Sequence, residues 1–146
     1  MKSLVQLLAA VCVLAAASAC TTEDPTTQTN IPLVPTQPLV DTFSGTVPVG
    51  AGDTKVFSVT QGNGELDITL ATTSQAGVVL AIGAGTWDGV SCTLASGATR
   101  NVTAGPSPQL QFLQVAVGNY CVQTFDPGTP APLAAPVQYT IAVAHY

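Results

Sequence analysis

From Asp41 onward, apolar and polar residues alternate in short runs separated by turn-forming residues. Phe43, Gly45 and Val47 alternate with Thr42, Ser44 and Thr46, and Leu66, Ile68 and Leu70 alternate with Glu65, Asp67 and Thr69. A period of two puts each set on its own face of an extended chain, so these segments are half-buried strands. The same pattern predicts strands over Lys55 to Thr60, Val78 to Ile82, Gln109 to Val117, Tyr120 to Phe125 and Val137 to His145, with an edge piece around Thr99 to Thr103. Gly62-Asn63-Gly64 and Gly118-Asn119 fall where tight hairpins would need positive φ. No stretch carries a helical apolar period bounded by caps. Seven or eight strands within about 105 residues predict one all-β domain over residues 41–146, a single antiparallel β-sandwich.

The N-terminal third follows a different pattern. Lys2 supplies a positive start, Leu4 to Ala16 form an apolar run too short to span a bilayer, and Leu14-Ala15-Ala16-Ala17-Ser18-Ala19-Cys20 closes it with small residues before a cysteine. Residues 1–19 therefore read as an export signal. The segment resembles a bacterial lipobox, with Ala17 in place of the usual leucine. That resemblance implies cleavage before Cys20 and acylation of its thiol and amine, which would hold the chain on a membrane because more than one acyl chain anchors stably. Ala17-Ser18-Ala19 also satisfies an ordinary signal peptidase, which would leave a secreted protein with an unpaired thiol. Thr21 and Thr22 lack the aspartate that retains enteric lipoproteins in the inner membrane, which points to the outer membrane of a bacterial cell envelope. Residues 20–40 are rich in Thr and Pro, and Pro25, Pro32, Pro35 and Pro38 block helix and sheet ladders alike. They read as a tether, able to reach about 60 Å at a rise of ~3.1 Å per residue. Glu23 and Asp24 either solvate it or form part of a sorting signal.

Charge narrows the partners. Charged residues make up 8% of the chain, against a typical ~25%, so hydroxyls and amides must carry solubility. Beyond Lys2, only Lys55 and Arg100 oppose Glu23, Asp24, Asp41, Asp53, Glu65, Asp67, Asp88 and Asp126. An acidic domain without a basic patch disfavours nucleic acid and direct attraction to anionic headgroups. With Cys12 in the discarded signal and Cys20 given to the lipid, Cys92 and Cys121 remain as the pair in the domain. Export makes their disulfide the default, worth roughly 3–4 kcal/mol in the chain-entropy picture.

Five strand signatures in succession carry a family resemblance: Phe43-Ser44-Gly45-Thr46-Val47, Lys55-Val56-Phe57-Ser58-Val59, Gly64-Glu65-Leu66-Asp67-Ile68-Thr69-Leu70, Val117-Gly118-Asn119-Tyr120-Cys121-Val122 and Tyr139-Thr140-Ile141-Ala142-Val143. Over about residues 42–146 the chain resembles bacterial pre-peptidase C-terminal domains. The resemblance implies a jelly-roll-like sandwich serving secretion, localisation or substrate binding. Gln75-Ala76-Gly77 replaces the acidic residue that the family often carries before its next strand, and no peptidase domain accompanies the chain.

The residues offer little for catalysis, and the chain reads as a non-enzyme without cofactor or metal. His145, the only histidine, adjoins Tyr146 and reads as an edge or exposed terminal position. Glu65 and Asp67 share a strand face, but alternation with Leu66 and Ile68 makes that face the solvent one. Asp88-Gly89 and Asp126-Pro127-Gly128 read as turns lacking the carboxylate density of a calcium loop. Trp87 remains, in Gly83-Ala84-Gly85-Thr86-Trp87-Asp88-Gly89, which reads as a flexible loop near Cys92. With Asp88 it makes a candidate binding loop; the alternative is an indole folded over the disulfide as a lid. These features point to a lipid-anchored, non-catalytic binding or adhesion module for an envelope protein or glycan. An accessory subunit of a secretion or envelope assembly is the alternative, and a weak hydrolase a third.

Overall fold

The computed structural model describes residues 37–129 and 132–146; the signal segment, Cys20 and most of the tether lie outside them. The described residues form eight antiparallel strands and no helix: β1 (Leu39–Val47), β2 (Gly52–Val59), β3 (Gly64–Thr73), β4 (Val79–Trp87), β5 (Cys92–Thr103), β6 (Leu110–Val115), β7 (Gly118–Phe125) and β8 (Val137–His145). They build two four-stranded sheets, ordered β1-β8-β3-β6 and β2-β7-β4-β5. Alternation does what the sequence requires. Leu66, Ile68 and Leu70 from β3 and Ile141 and Val143 from β8 meet Leu80 and Ile82 from β4 and Val122 from β7 in one buried core, while Glu65 and Asp67 lie half-buried on the outer face.

Connectivity departs from the sequence expectation. Gly62-Asn63-Gly64 and the Ala116-Val117 link before Gly118 are not hairpins, because β2 and β3 belong to different sheets, as do β6 and β7. Asn63 does take the left-handed backbone (φ 63°), but there it turns a corner from one sheet to the other. Gly118 instead opens β7 opposite Val59. Among consecutive strands only β4 and β5 pair directly, with Trp87 opposite Cys92. All other pairings are non-local, as in β1 with β8, where Leu39 faces His145.

Three further boundaries move. β1 begins at Leu39, two residues inside the tether expected over residues 20–40. The strand expected at Val78 to Ile82 continues to Trp87, so Gly83 and Gly85 are strand residues instead of loop hinges. The edge piece at Thr99 to Thr103 is the second half of a 12-residue strand on the edge of the second sheet. Its pairing with β4 shifts between Gly83 and Gly85, a bulge that takes up Ala95 to Ala98.

Candidate binding surfaces at the two ends of the sandwich

The registers bring Leu39, Val59, Gly64, Trp87, Cys92, Val115, Gly118 and His145 to one end of the sandwich. β1 begins at this end, the near end. The β4–β5 hairpin at this end is rigid. Cys92 and Cys121 are bonded, Cα atoms 5.8 Å apart, tying β5 to β7 across the intervening β4. Beneath the tie lies Gly85: a Cβ there would collide with the carbonyl oxygen of Thr93 and come within 2.6 Å of the Leu94 Cα. Glycine is present because the β5 backbone crosses directly over it.

Asp88 closes the turn. Its Oδ1 accepts N–H groups from Val90 (2.8 Å) and Ser91 (2.7 Å), and its Oδ2 accepts the Ser91 hydroxyl (2.9 Å). These donors, the Ser91 amide first, hold its carboxyl below the ordinary range. Gly89 takes φ 100° behind it. Asp88 is thus a turn-former, and the flexible loop expected at Gly83 to Gly89 is a strand end plus a capped turn. Trp87, half-buried, ends β4 on the same sheet face as Cys92 and Cys121.

Apolar exposure gathers at the near end. Val90 at the hairpin tip is 86% exposed, Leu113 on β6 77% and Val117 on the β6–β7 corner 64%, joined by Leu39 and Val40 at the start of β1. Between the sheets on the β5–β6 side opens an apolar cleft of about 350 Å³, floored by Leu66 and Ala84 and walled by Phe112 and Tyr120. The Tyr120 hydroxyl donates to the Ala116 carbonyl at 2.9 Å, fixing the corner.

The far end is polar. On the outer face of the first sheet, Ser44 and Thr46 of β1, Gln138 and Thr140 of β8 and Thr72 of β3 line a groove of about 520 Å³, with Thr73 and Ser74 at its lip. Register aligns them: Ser44 faces Thr140, which faces Thr72 on the other side, and Thr46 faces Gln138. Ser74 is held against β8 in both directions, its amide donating to the Gln138 carbonyl (2.8 Å) and its Oγ accepting the Gln138 amide (3.0 Å). No charged side chain lines this groove.

Under the groove, a polar bridge joins the sheets. Tyr139 of β8 donates its hydroxyl to Asp53 Oδ2 on β2 at 3.0 Å, and Lys55 closes on the same oxygen at 3.1 Å. Thr124 on β7 approaches the phenol oxygen from the second sheet without completing a hydrogen bond. Gly45 makes room, since a Cβ there would strike Asp53 and come within 2.8 Å of the Tyr139 ring. Burial, then the Asp53 carboxylate, pushes the Tyr139 hydroxyl well above the ordinary phenol range. Nearby, Asp126 gathers the loops, accepting N–H groups from Gly50 (2.7 Å), Gly128 (2.9 Å) and Leu133 (3.2 Å). They hold its carboxyl below the ordinary range, the Gly50 amide first.

His145 contradicts its expected place. β8 is a central strand, so His145 is 1% exposed and sits inside the near end. Its Nε2 donates to Asp41 Oδ2 at 3.1 Å, its ring packs 5.6 Å from Phe57, and Nδ1 meets no partner. Among the described residues no cluster of three or more metal-ligating side chains occurs. No family model and no curated protein matches the chain, so the resemblance to pre-peptidase C-terminal domains rests on the five strand signatures alone.

Proposed function

We propose that this chain is a non-catalytic binding module of the bacterial cell envelope, held to a membrane by a lipid on Cys20 and recognising a neutral glycan through the far-end groove. One observation carries the choice of surface. Hydroxyl and amide groups from three adjacent strands converge there without a charge, the lining a polyhydroxyl ligand needs for multiple hydrogen bonds without displacing counter-ions. Four of the domain's six carboxylates support a non-enzymatic reading, because Asp41, Asp53, Asp88 and Asp126 are each committed to internal hydrogen bonds, while Glu65 and Asp67 stand on the outer sheet face with no histidine beside them. The near-end hairpin suits this role less well, since Asp88 is spent on its turn, Trp87 is half-buried and the most exposed side chain at the tip is the aliphatic Val90.

The test is a titration of the domain with neutral oligosaccharides, followed by amide chemical shifts. Shifts should concentrate at residues 44–46, 72–74 and 138–140, and Ser44→Lys with Thr140→Lys should abolish them. Shifts confined to residues 85–92 would move the site to the hairpin. A native envelope protein crosslinking to the groove, with no glycan bound, would favour the accessory-subunit reading instead.

A further inference from the structure

The near end carries five exposed aliphatic side chains, Leu39, Val40, Val90, Leu113 and Val117, out of the seven large exposed apolar residues among those described. The other two lie apart, Val56 within β2 opposite Cys121 and Val49 beyond the far end of β1. Such one-sided clustering on a small domain marks an interaction surface. Its most exposed side chains are aliphatic, with the Asp88 carboxylate beside Val90 satisfied by amides of its own turn. The cations among the described residues are elsewhere: Lys55 pairs with Val122 and Arg100 with Ile82, both partway along their strands. The acidic groups of this end are Asp41, bound to His145, Asp88, bound within its turn, and Glu65 and Asp67 on the outer sheet face.

The course of the chain says what faces these side chains. β1 begins at Leu39, within the near end itself, and Cys20 precedes Gln37 by 17 positions. An anchor at Cys20 would therefore join the domain at its near end, where β1 begins. Tethering makes docking intramolecular, with effective concentrations in about the millimolar range, so a surface too weak to bind membranes alone can stay seated.

We propose that the near end docks on the neutral lipid surface to which the chain is anchored, with Val90, Leu113 and Val117 in the interface and the far-end groove turned away from the membrane. This rests on the Cys20 anchor proposed above. The rigid hairpin favours docking, because the capped turn and the disulfide present Val90 without a further ordering cost. The absence of lysine and arginine from the near end, among the described residues, makes zwitterionic lipid the matching surface; anionic lipid should add nothing.

The experiment uses the chain from Cys20 onward in zwitterionic nanodiscs doped with nitroxide lipid, read by paramagnetic broadening of amides. Two preparations are compared, the natively processed protein and one carrying a maleimide-linked phospholipid on Cys20. Broadening at residues 39–40, 88–91 and 113–117, with residues 46–50, 74–77 and 126–129 spared, is the expected result. Val90→Asp and Leu113→Asp should each lower the docked-to-free ratio by about tenfold, the loss of one buried aliphatic side chain. Val49→Asp, at the far end, should leave it unchanged. A chemically anchored chain showing no broadening, or broadening at the far end, overturns the docking. Native protein without lipid on Cys20, alongside normal broadening in the chemically anchored form, overturns the anchor alone.

Discussion

At the near end, a covalent tie and a steric fit hold the β4–β5 hairpin: Cys92 to Cys121 above, Gly85 below. At the far end, hydrogen bonds do the equivalent work, through Asp126 gathering three loop amides and Tyr139 bridging the sheets to Asp53. The difference follows from what each end exposes. At the near end the hydrogen bonds of Asp88 fix only the turn itself, and the disulfide supplies the constraint that reaches from β5 to β7. The far end is rich in threonine, serine and glutamine and can be fixed by polar contacts, which also leave hydroxyls free to face a ligand. The near end should therefore respond to cross-link and packing changes, and the far end to pH.

The largest effect should come from removing the tie. Replacing both Cys92 and Cys121 with Ala opens a loop of sequence separation 29 and should lower the unfolding free energy by roughly 3–4 kcal/mol in denaturant titration. The far-end strands should keep their amide protection. A loss below about 1 kcal/mol would mean that β5 holds its place by pairing alone.

Gly85→Ala comes next, at about 2–3 kcal/mol, because the added methyl meets backbone that cannot withdraw while the disulfide holds. In the background lacking the disulfide the same substitution should cost less, since Thr93 and Leu94 can then lift. A double-mutant cycle reads that coupling, and strict additivity would contradict it.

At the far end, Tyr139→Phe should cost about 1–2 kcal/mol by leaving Asp53 without its phenol partner. The pH dependence has a definite sign. Folding raises the Tyr139 hydroxyl above its unfolded value of 10.0, so the native state holds this proton more tightly than the unfolded chain. The contribution is complete below about pH 10 and is lost as pH climbs through the raised value. Thermal melts of wild type should therefore fall more steeply above pH 10 than those of the Phe variant. Parallel curves would remove Tyr139 from the account.

How much of this was legible in the sequence depends on whether the cause is local. Alternation at Leu66, Ile68 and Leu70 marks a buried face whatever strand lies beside it, and the sandwich core follows. The cysteine pair is legible because Cys92 and Cys121 are the two cysteines within the β-patterned residues. Asn63 does show the positive φ that its neighbours suggest, yet a local backbone preference cannot say whether a turn joins paired strands or passes between sheets. Glycine is ambiguous in the same way: Gly83-Ala84-Gly85 reads as flexibility, while its cause is the β5 backbone passing over Gly85, fixed by pairing that the local sequence does not encode. His145 looked terminal and exposed because its neighbours on β1, about a hundred residues earlier, decide its burial. The groove was half visible. Ser44 and Thr46 appear as the polar alternates of β1, but Thr140 and Thr72 join them only once β1, β8 and β3 stand side by side.

The division of labour between the ends is tested most directly by one amide map of the vesicle-anchored chain, recorded with and without nitroxide lipid and with and without a neutral oligosaccharide. The account predicts two separate footprints. Lipid should mark residues 39–40, 88–91 and 113–117, and glycan should mark residues 44–46, 72–74 and 138–140. A single region answering to both, or the two footprints exchanged, would contradict it.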